Sequence, residues 1–420
     1  MGRPSITVYL DHAATTPVAD PVLSAMLPYM AKEFGNPSSI HSLGVRAARA
    51  VAQSREQVAA LLGAHPEEIA FTSGGTEADN WALTAGMWAG RDRRPQRTRI
   101  LVSATEHPAV MNSALFLQRR FGVEVNMLPV DEQGVVVLDH AAPAADVSMM
   151  VGNSVALVSV MLAGNEVGSL QPVAKIGAAA RAAGALMHTD AVQVVGKLPV
   201  DVDVLEVDLL SLSAHKFYGP KGVGALYVRR GTEPETFMHG GSQESGRRAG
   251  TLNVAGIVGL GEACVLAERE MEEAARREAE LVERMWSGLQ ARVARIVRNG
   301  HATERVPGIL SVCIPGVEGE SCVLRLSREG VVCSSGSACA AGSLEESHVL
   351  RAMGVAPELA RGSLRLSVGR STTEGDAERA VEAVARVVNG LRLLNPTWRD
   401  AEGGPGASAG APGRPEEADG

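Results

Sequence analysis

Short apolar runs recur through the first half of the chain, at IAFTS (69–73), RILVS (99–103), VEVNMLPV (123–130), VALVSVMLA (155–163), ALMH (185–188), DLLSLSA (208–214) and GALYV (224–228). Ala-rich stretches with helical spacing lie between them. This alternation predicts an α/β unit, a largely parallel sheet covered by helices. One helix reads in detail: Gln171-Pro172 opens it, Val173, Ile176 and Ala180 share a face, and Gly184 closes it, so that the next strand delivers His188 and Asp190. After Asn253 the pattern changes to a long Glu/Arg-rich helical region, 256–297, with one solvated face, followed by the strand-like GILSVCIP. A change of domain is expected there, with a large unit over 14–255 and a smaller α+β unit built from 1–13 and 256–395. The last twenty residues, 401–420, hold 6 Gly, 5 Ala and 3 Pro and no aromatic residue, too little apolar surface to offset the entropy of ordering. They read as a disordered tail.

Composition narrows the class. The 420 residues carry a net charge of -8, which argues against nucleic acid or anionic membrane as partners. The 45% apolar share suffices for substantial cores. The five cysteines, Cys264, Cys313, Cys322, Cys333 and Cys339, are too scattered for a disulfide framework and include no Cys-x-x-Cys pair. Reduced thiols are the expectation. The N-terminal residues lack the apolar stretch of a secretory signal, and no run approaches the ~18 apolar residues of a membrane span. A soluble cytoplasmic protein follows as the expectation.

Three fragments carry chemistry. In FTSGGTEADN, Gly74, Gly75 and Thr76 stand between a predicted strand and a predicted helix, where backbone N–H groups and the positive end of the helix dipole favour a phosphate. In HTDAVQ, Asp190 projects from the carboxyl edge of the sheet, where ligands of open α/β folds gather. His188-x-Asp190 is also a fragment of a metal site, but no third ligand has a helpful spacing, and no metal is expected. In SLSAHKFYGPKG, Lys216 closes a strand as a candidate activated amine, while Lys221 reads as a solvated surface group. Taken alone each fragment also has a plain structural reading, a Gly-Gly turn, a helix-capping Asp and an exposed lysine. Together they match pyridoxal phosphate, which needs a phosphate cradle, a carboxylate for its ring nitrogen and a lysine for its aldehyde. Ser213 and His215 add donors for the phosphate, Gln193 reaches the phenolic oxygen, and His107 in SATEHPAV stacks on the ring.

The chain resembles the cysteine desulfurases, the NifS/IscS-like branch of the class V aminotransferases with pyridoxal-phosphate fold type I. The resemblance runs from YLDHAATTP to LRLSVGRSTT and rests on GNPSS, TSGGTEADN, EHPAV, GNEVG, HTDAVQ, SAHKFYGPKG, RRAGT and SSGSACAAGSLEESHVLRAMG. It implies a large domain with a mainly parallel seven-stranded sheet and a smaller domain carrying the catalytic cysteine loop. It also implies that Lys216 bonds the cofactor, Asp190 meets the pyridine nitrogen and His107 stacks on the ring, with Gln193 and Asn165 on its oxygen side. Gly75, Thr76, Ser213 and His215 would hold the phosphate, Thr251 would reach the phosphate of a neighbouring subunit in a homodimer, and Arg365 would bind the substrate carboxylate. One departure is visible: Gly164 precedes Asn165-Glu166 where the family usually has a second Asn.

Cys339, in the Gly/Ser/Ala-rich SSGSACAAGS, is the implied nucleophile, since persulfide chemistry needs a thiolate that first attacks the substrate and then meets an acceptor. Cys333 follows Val331-Val332 and reads as a core or strand-end residue. The implied activity converts L-cysteine to L-alanine and passes sulfur to a partner such as an iron-sulfur scaffold or a tRNA-thiolation protein. A selenocysteine lyase or an aminotransferase of the same fold shares most of this site, and a noncatalytic sulfur-trafficking subunit would lack it.

Overall fold

The structure, a computed structural model, describes residues 7–138, 150–232, 234–336, 346–396 and 398. In chain order the first elements are β1 (Val8–Tyr9), α1 (Asp20–Ala31), α2 (Ser42–Leu62), β2 (Ile69–Thr72), α3 (Gly75–Arg93), β3 (Arg99–Ser103), α4 (Pro108–Phe121), β4 (Glu124–Leu128), β5 (Val155–Ser159), α5 (Val173–Ala183), β6 (Leu186–Asp190), β7 (Leu209–Ser213) and β8 (Gly224–Val228). They are followed by α6 (Val254–Arg292), β9 (Val297–Arg298), β10 (Ile309–Cys313), α7 (Gly319–Arg328), β11 (Val331–Val332), β12 (Ser334–Ser335), α8 (His348–Ala352), α9 (Pro357–Ala360), β13 (Ser363–Ser367) and α10 (Glu374–Arg392).

The expected seven-stranded sheet forms, in the order β2-β8-β7-β6-β5-β3-β4. Every pair from β7 through β6, β5 and β3 to β4 is parallel, and β8 runs antiparallel to both its neighbours, so β2 again points the same way as β7. Strands β5 to β8 are buried along their whole length, as continuous apolar runs require when helices cover both faces. One face packs against a core that includes Val58, Ile176, Leu210 and Leu260, the other against α3 and α4 through Trp81, Leu83, Met87 and Leu117. Close approach of α3 depends on Gly90, where an added Cβ would lie 2.6 Å from the carbonyl oxygen of Ala156 on β5.

The helix read from Pro172 to Gly184 is α5: Val173, Ile176 and Ala180 are buried and Gly184 ends it at φ +68°. The long charged region is α6, a 39-residue helix whose first turn is capped by the Asn253 side chain accepting from Gly256 N at 3.0 Å. Its first half contributes Ile257, Leu260 and Cys264 to the sheet's core. Its second half contributes Leu281, Val282, Met285 and Leu289 to a second core. That second core also holds Val8, Leu10, Leu310, Val312, Leu364 and Val384, beneath an antiparallel sheet ordered β12-β13-β10-β9. The N-terminal strand β1 pairs in parallel with β11. Cys264, Cys313, Cys322 and Cys333 are all buried free thiols. No helix among the described residues is long and apolar enough to cross a membrane.

Candidate active site

Because β2, β3, β5, β6 and β7 share one direction, their carboxyl ends open on the same edge of the sheet, and the loops leaving that edge bring distant residues together. They wall a cavity of about 300 Å³ lined by ten of the residues singled out above: Gly75, Thr76, His107, Asn165, Asp190, Gln193, Ser213, His215, Lys216 and Arg365. Ala13, Ala14, Asp79, Met161, Ala163 and Val192 complete the lining. Thr251 is exposed and does not line this cavity. Cys339 lies outside the described residues, as does the 401–420 stretch.

At one end stands the start of α3. Gly74, at φ +152°, occupies its N-cap and offers no side chain, so nothing of its own covers the first-turn N–H groups. A Cβ on Gly75 would come within 2.7 Å of Val192 Cγ2, so this position also admits little more than hydrogen. Ser213, at the end of β7, and His215, in the turn after it, stand beside that helix start. Burial holds the His215 imidazole down to about 4, and its Nδ1 lies 3.1 Å from Thr15 Oγ1. The set forms an anion cradle.

At the other end two carboxylates are buried together. Asp190 accepts from Val192 N at 2.9 Å, and burial raises its pKa while His107 and Lys216 pull it back. Asp79, on α3, is raised well above the usual carboxylate range by burial and then by Asp190, and its Oδ1 has no hydrogen-bond partner among the described residues. Two carboxylates without a buried cation between them are costly unless one is protonated or a ligand brings a positive N–H. Ligand atoms of Asp79, His107 and Asp190 lie within 4.8 Å of one another, a spacing that a cation or a protonated ring nitrogen would fill. His188 is otherwise engaged. Its Nδ1 is 2.8 Å from Ser159 Oγ and its Nε2 3.0 Å from Ser211 Oγ, bridging β5, β6 and β7, and burial pushes it down to about 3.

Between the two ends, Lys216 Nζ donates to the carbonyls of Ala13 and Ala14, both at 2.8 Å. His107 caps α4 by accepting from Ala109 N at Nδ1, 3.1 Å away, which fixes the neutral ring's proton on Nε2. Burial lowers its pKa, with Asp190 opposing. Arg365, on β13 and almost fully buried, donates from Nη1 to Asn165 O at 2.8 Å and from Nη2 to Asp11 Oδ1 at 3.0 Å. Its Nε has no partner among the described residues. The donor set therefore suits a molecule with an anion at one end, a ring nitrogen cation at the other and an electrophile facing Lys216, beside a guanidinium with N–H groups to spare. Pyridoxal phosphate with an amino-acid substrate meets that description.

The family model described as Aminotransferase class-V matches residues 8–380. This chain belongs to the class-V aminotransferases. Within that family it is 46% identical over 389 residues to a protein named cysteine desulfurase IscS from Methanosarcina thermophila, covering 93% of this chain and 94% of that protein. A protein of the same name from Dictyoglomus turgidum is 44% identical over 389 residues, covering 93% and 96%. Among solved structures, a NifS-like protein superposes with a TM-score of 0.84 at 36% identity, covering 92% of this chain and all of that one.

In this class-V aminotransferase four further charged or titratable groups lie in the cavity wall or contact its lining residues, and no local motif announces them. Asp79 is four residues beyond Gly75 on the same helix, and the helical repeat puts both on one face. Asp11 holds Arg365 and also accepts from Ser334 Oγ at 2.8 Å. Glu166, buried beside Asn165, accepts from Ser347 Oγ at 2.5 Å, and burial pushes it up to about 7. Lys197 donates to Gln193 Oε1 at 3.0 Å.

Proposed function

We propose that this chain is a pyridoxal-phosphate-dependent cysteine desulfurase that converts L-cysteine to L-alanine and leaves the sulfur on Cys339 as a persulfide. The observation that carries the reading is one cavity uniting an anion cradle, buried carboxylates, Lys216 and a donor-rich buried arginine, in a chain whose relatives bear that name. Gly75, Thr76, Ser213 and His215 hold the phosphate, Asp190 the ring nitrogen, Gln193 the phenolic oxygen, and His107 packs on the ring. When bound, pyridoxal phosphate supplies an electron sink that acidifies the substrate Cα–H.

The chain's own groups do the rest. Arg365 and Asn165 orient the substrate carboxylate, which fixes the Cα–H direction. Lys216 Nζ takes the Cα proton, as the general base at the reacting carbon. The Cys339 thiolate attacks the substrate sulfur; a sulfur–sulfur bond forms, the carbon–sulfur bond breaks, and its electron pair stays with the carbon skeleton, which leaves as alanine after protonation. The persulfide sulfur then passes to an acceptor protein, of the kind that serves iron-sulfur assembly or tRNA thiolation. The larger unit, 14–255, provides the cofactor site, and the smaller one, 1–13 and 256–395, carries Cys339.

A homodimer with shared sites is part of the proposal. Thr251 is exposed and outside its own chain's cavity, which suits a residue that serves a neighbour's phosphate. Leu23, Leu27 and Met30 form an exposed apolar stripe at helical spacing on α1 that a second subunit would cover. Free buried thiols suit a reducing cytoplasm.

The test uses the purified chain supplied with pyridoxal phosphate and cysteine. Lys216→Ala removes the visible absorption of the loaded protein and its alanine production; a Lys216→Ala protein that still makes alanine refutes the assignment of the base. Cys339→Ser keeps the absorption and stops alanine release, whereas full turnover in that variant moves the nucleophile elsewhere and favours an aminotransferase.

A further inference from the structure

A second, smaller cavity of about 40 Å³ shares Ala13 and Lys216 with the first and is lined in part by His12, Lys197, Tyr218, Glu278 and Arg370. Lys197 lines only the smaller cavity, but it meets a residue of the first, Gln193. It follows Gln193 by four residues, and its Nζ donates to Gln193 Oε1 at 3.0 Å. The other end of the same amide, Nε2, donates to Ala13 O at 2.9 Å, and that carbonyl is also held by Lys216 Nζ. The Gln193 side chain is therefore held between the Lys197 amine, which donates to its carbonyl, and the Ala13 carbonyl, which only accepts. This leaves a single orientation: carbonyl toward Lys197, NH₂ toward Ala13 and the cavity. Of the two N–H bonds on Nε2 one goes to Ala13, and the second is the only donor the amide has left for a ligand.

We propose that Lys197 is a positioning residue that acts through Gln193, locking the amide so that a donor and not an acceptor meets the cofactor's phenolic oxygen. The inference rests on the reading of the site as a pyridoxal-phosphate site. Without Lys197 only the Ala13 carbonyl restrains the amide, and a rotated Gln193 turns its oxygen toward another oxygen, which repels. Lys197 also brings charge. Glu278 from α6, His215 after β7 and His12 in the N-terminal segment all feel it, while Lys216 and Arg365 oppose it, so its removal has an electrostatic part as well as an orientational one. Burial lowers the Lys197 pKa to about 7, with Glu278 opposing the shift.

The two parts separate in a double-mutant cycle read on the dissociation constant for pyridoxal phosphate and on the pH midpoint of the loaded protein's visible absorption. Lys197→Met is expected to weaken pyridoxal phosphate about five- to tenfold, the share of one hydrogen bond, and to move the midpoint. In a Gln193→Ala background the loss of affinity should shrink to less than twofold, leaving only a residual midpoint shift from charge. Lys197→Arg, which keeps the donor, should restore affinity. Should Lys197→Met fail to fold, Lys197→Gln, which keeps a polar stem of shorter reach, is read in the same pair of backgrounds. Equal effects of the Lys197 substitution with and without Gln193 overturn the proposal, because the lysine then acts by charge or packing alone. Failure of the wild-type chain to take up pyridoxal phosphate overturns the function reading itself, a separate result.

Discussion

Arg365→Lys is the substitution that bears most directly on substrate recognition. A guanidinium has five N–H donors, and two are spent within the protein, on Asn165 O and on Asp11. Three remain, among them the buried Nε–H, enough to take a carboxylate by two parallel bonds. A lysine at this position has three donors in all and keeps one after Asn165 and Asp11 are served. The variant thus loses one charge-assisted hydrogen bond to the substrate, about 1.5–3 kcal/mol, or roughly 10- to 150-fold in kcat/KM for cysteine. Lysine is preferred to alanine because Arg365 is paired with the half-buried Asp11, and lysine keeps a cation beside that carboxylate. The assay is initial rate of alanine formation against cysteine concentration, with visible absorption recorded to show that pyridoxal phosphate stays bound. Because the carboxylate contact is present before and during the reaction, the loss should appear mainly in KM. Cysteamine, which lacks the carboxylate, should be handled similarly by both proteins. A kcat/KM for cysteine within about threefold of wild type would falsify the assignment of Arg365 as the carboxylate anchor.

The fold is most legible in the sequence where one physical rule dominates. Strands buried on both faces must be continuous apolar runs, which made the inner strands of the large sheet legible, and a parallel sheet gathers its functional groups at one edge, so the strand ends alone were enough to place Asp190, Lys216 and Gly75 there. The extent of β6 was less clear: it continues to Asp190, past the end of the apolar run, because the polar His188 and Thr189 find partners inside the sheet, in Ser159, Ser211 and the Val160 carbonyl. The same bonds explain why His188, which from its spacing alone also suited a metal, is used as a strut. What stayed hidden are contacts between residues far apart in the chain. Asp11 and Arg365 are separated by 354 positions, and no local pattern announces the pair. Nothing in the local sequence marks Lys197, since only the packing of α6 brings Glu278 near it. In α6 the helical pattern continues across two cores without a break, because one helix can turn the same face to both.

Two further substitutions test packing and charge away from the lysine. Gly90→Ala forces a methyl to within 2.6 Å of the Ala156 carbonyl and should cost about 1–3 kcal/mol, read as a lower melting temperature in thermal denaturation, and an unchanged melting temperature would show that α3 and β5 are not packed this closely. Glu166→Gln tests the buried carboxyl that holds Ser347. Burial raises the Glu166 pKa from 4.5 to about 7 despite the Ser347 hydroxyl and Arg365, so between those values the folded chain keeps a proton that the unfolded chain gives up. Stability from this group is therefore fully present below about pH 4.5 and lost as pH rises through 7, by on the order of 3 kcal/mol. Glutamine cannot titrate, and removes that slope. The stability of Glu166→Gln relative to wild type should thus rise between pH 4.5 and 7.5 in denaturant titrations, and a difference that stays flat over that interval contradicts a buried, protonated Glu166. The Ser347 oxygen that meets Glu166 also accepts from Leu350 N at 3.1 Å, capping α8 two positions past the segment that contains Cys339. Ionisation of Glu166 therefore acts on the anchor at the C-terminal end of that segment, and alanine release in the glutamine variant should lose whatever pH dependence the wild type shows near 7 from this source.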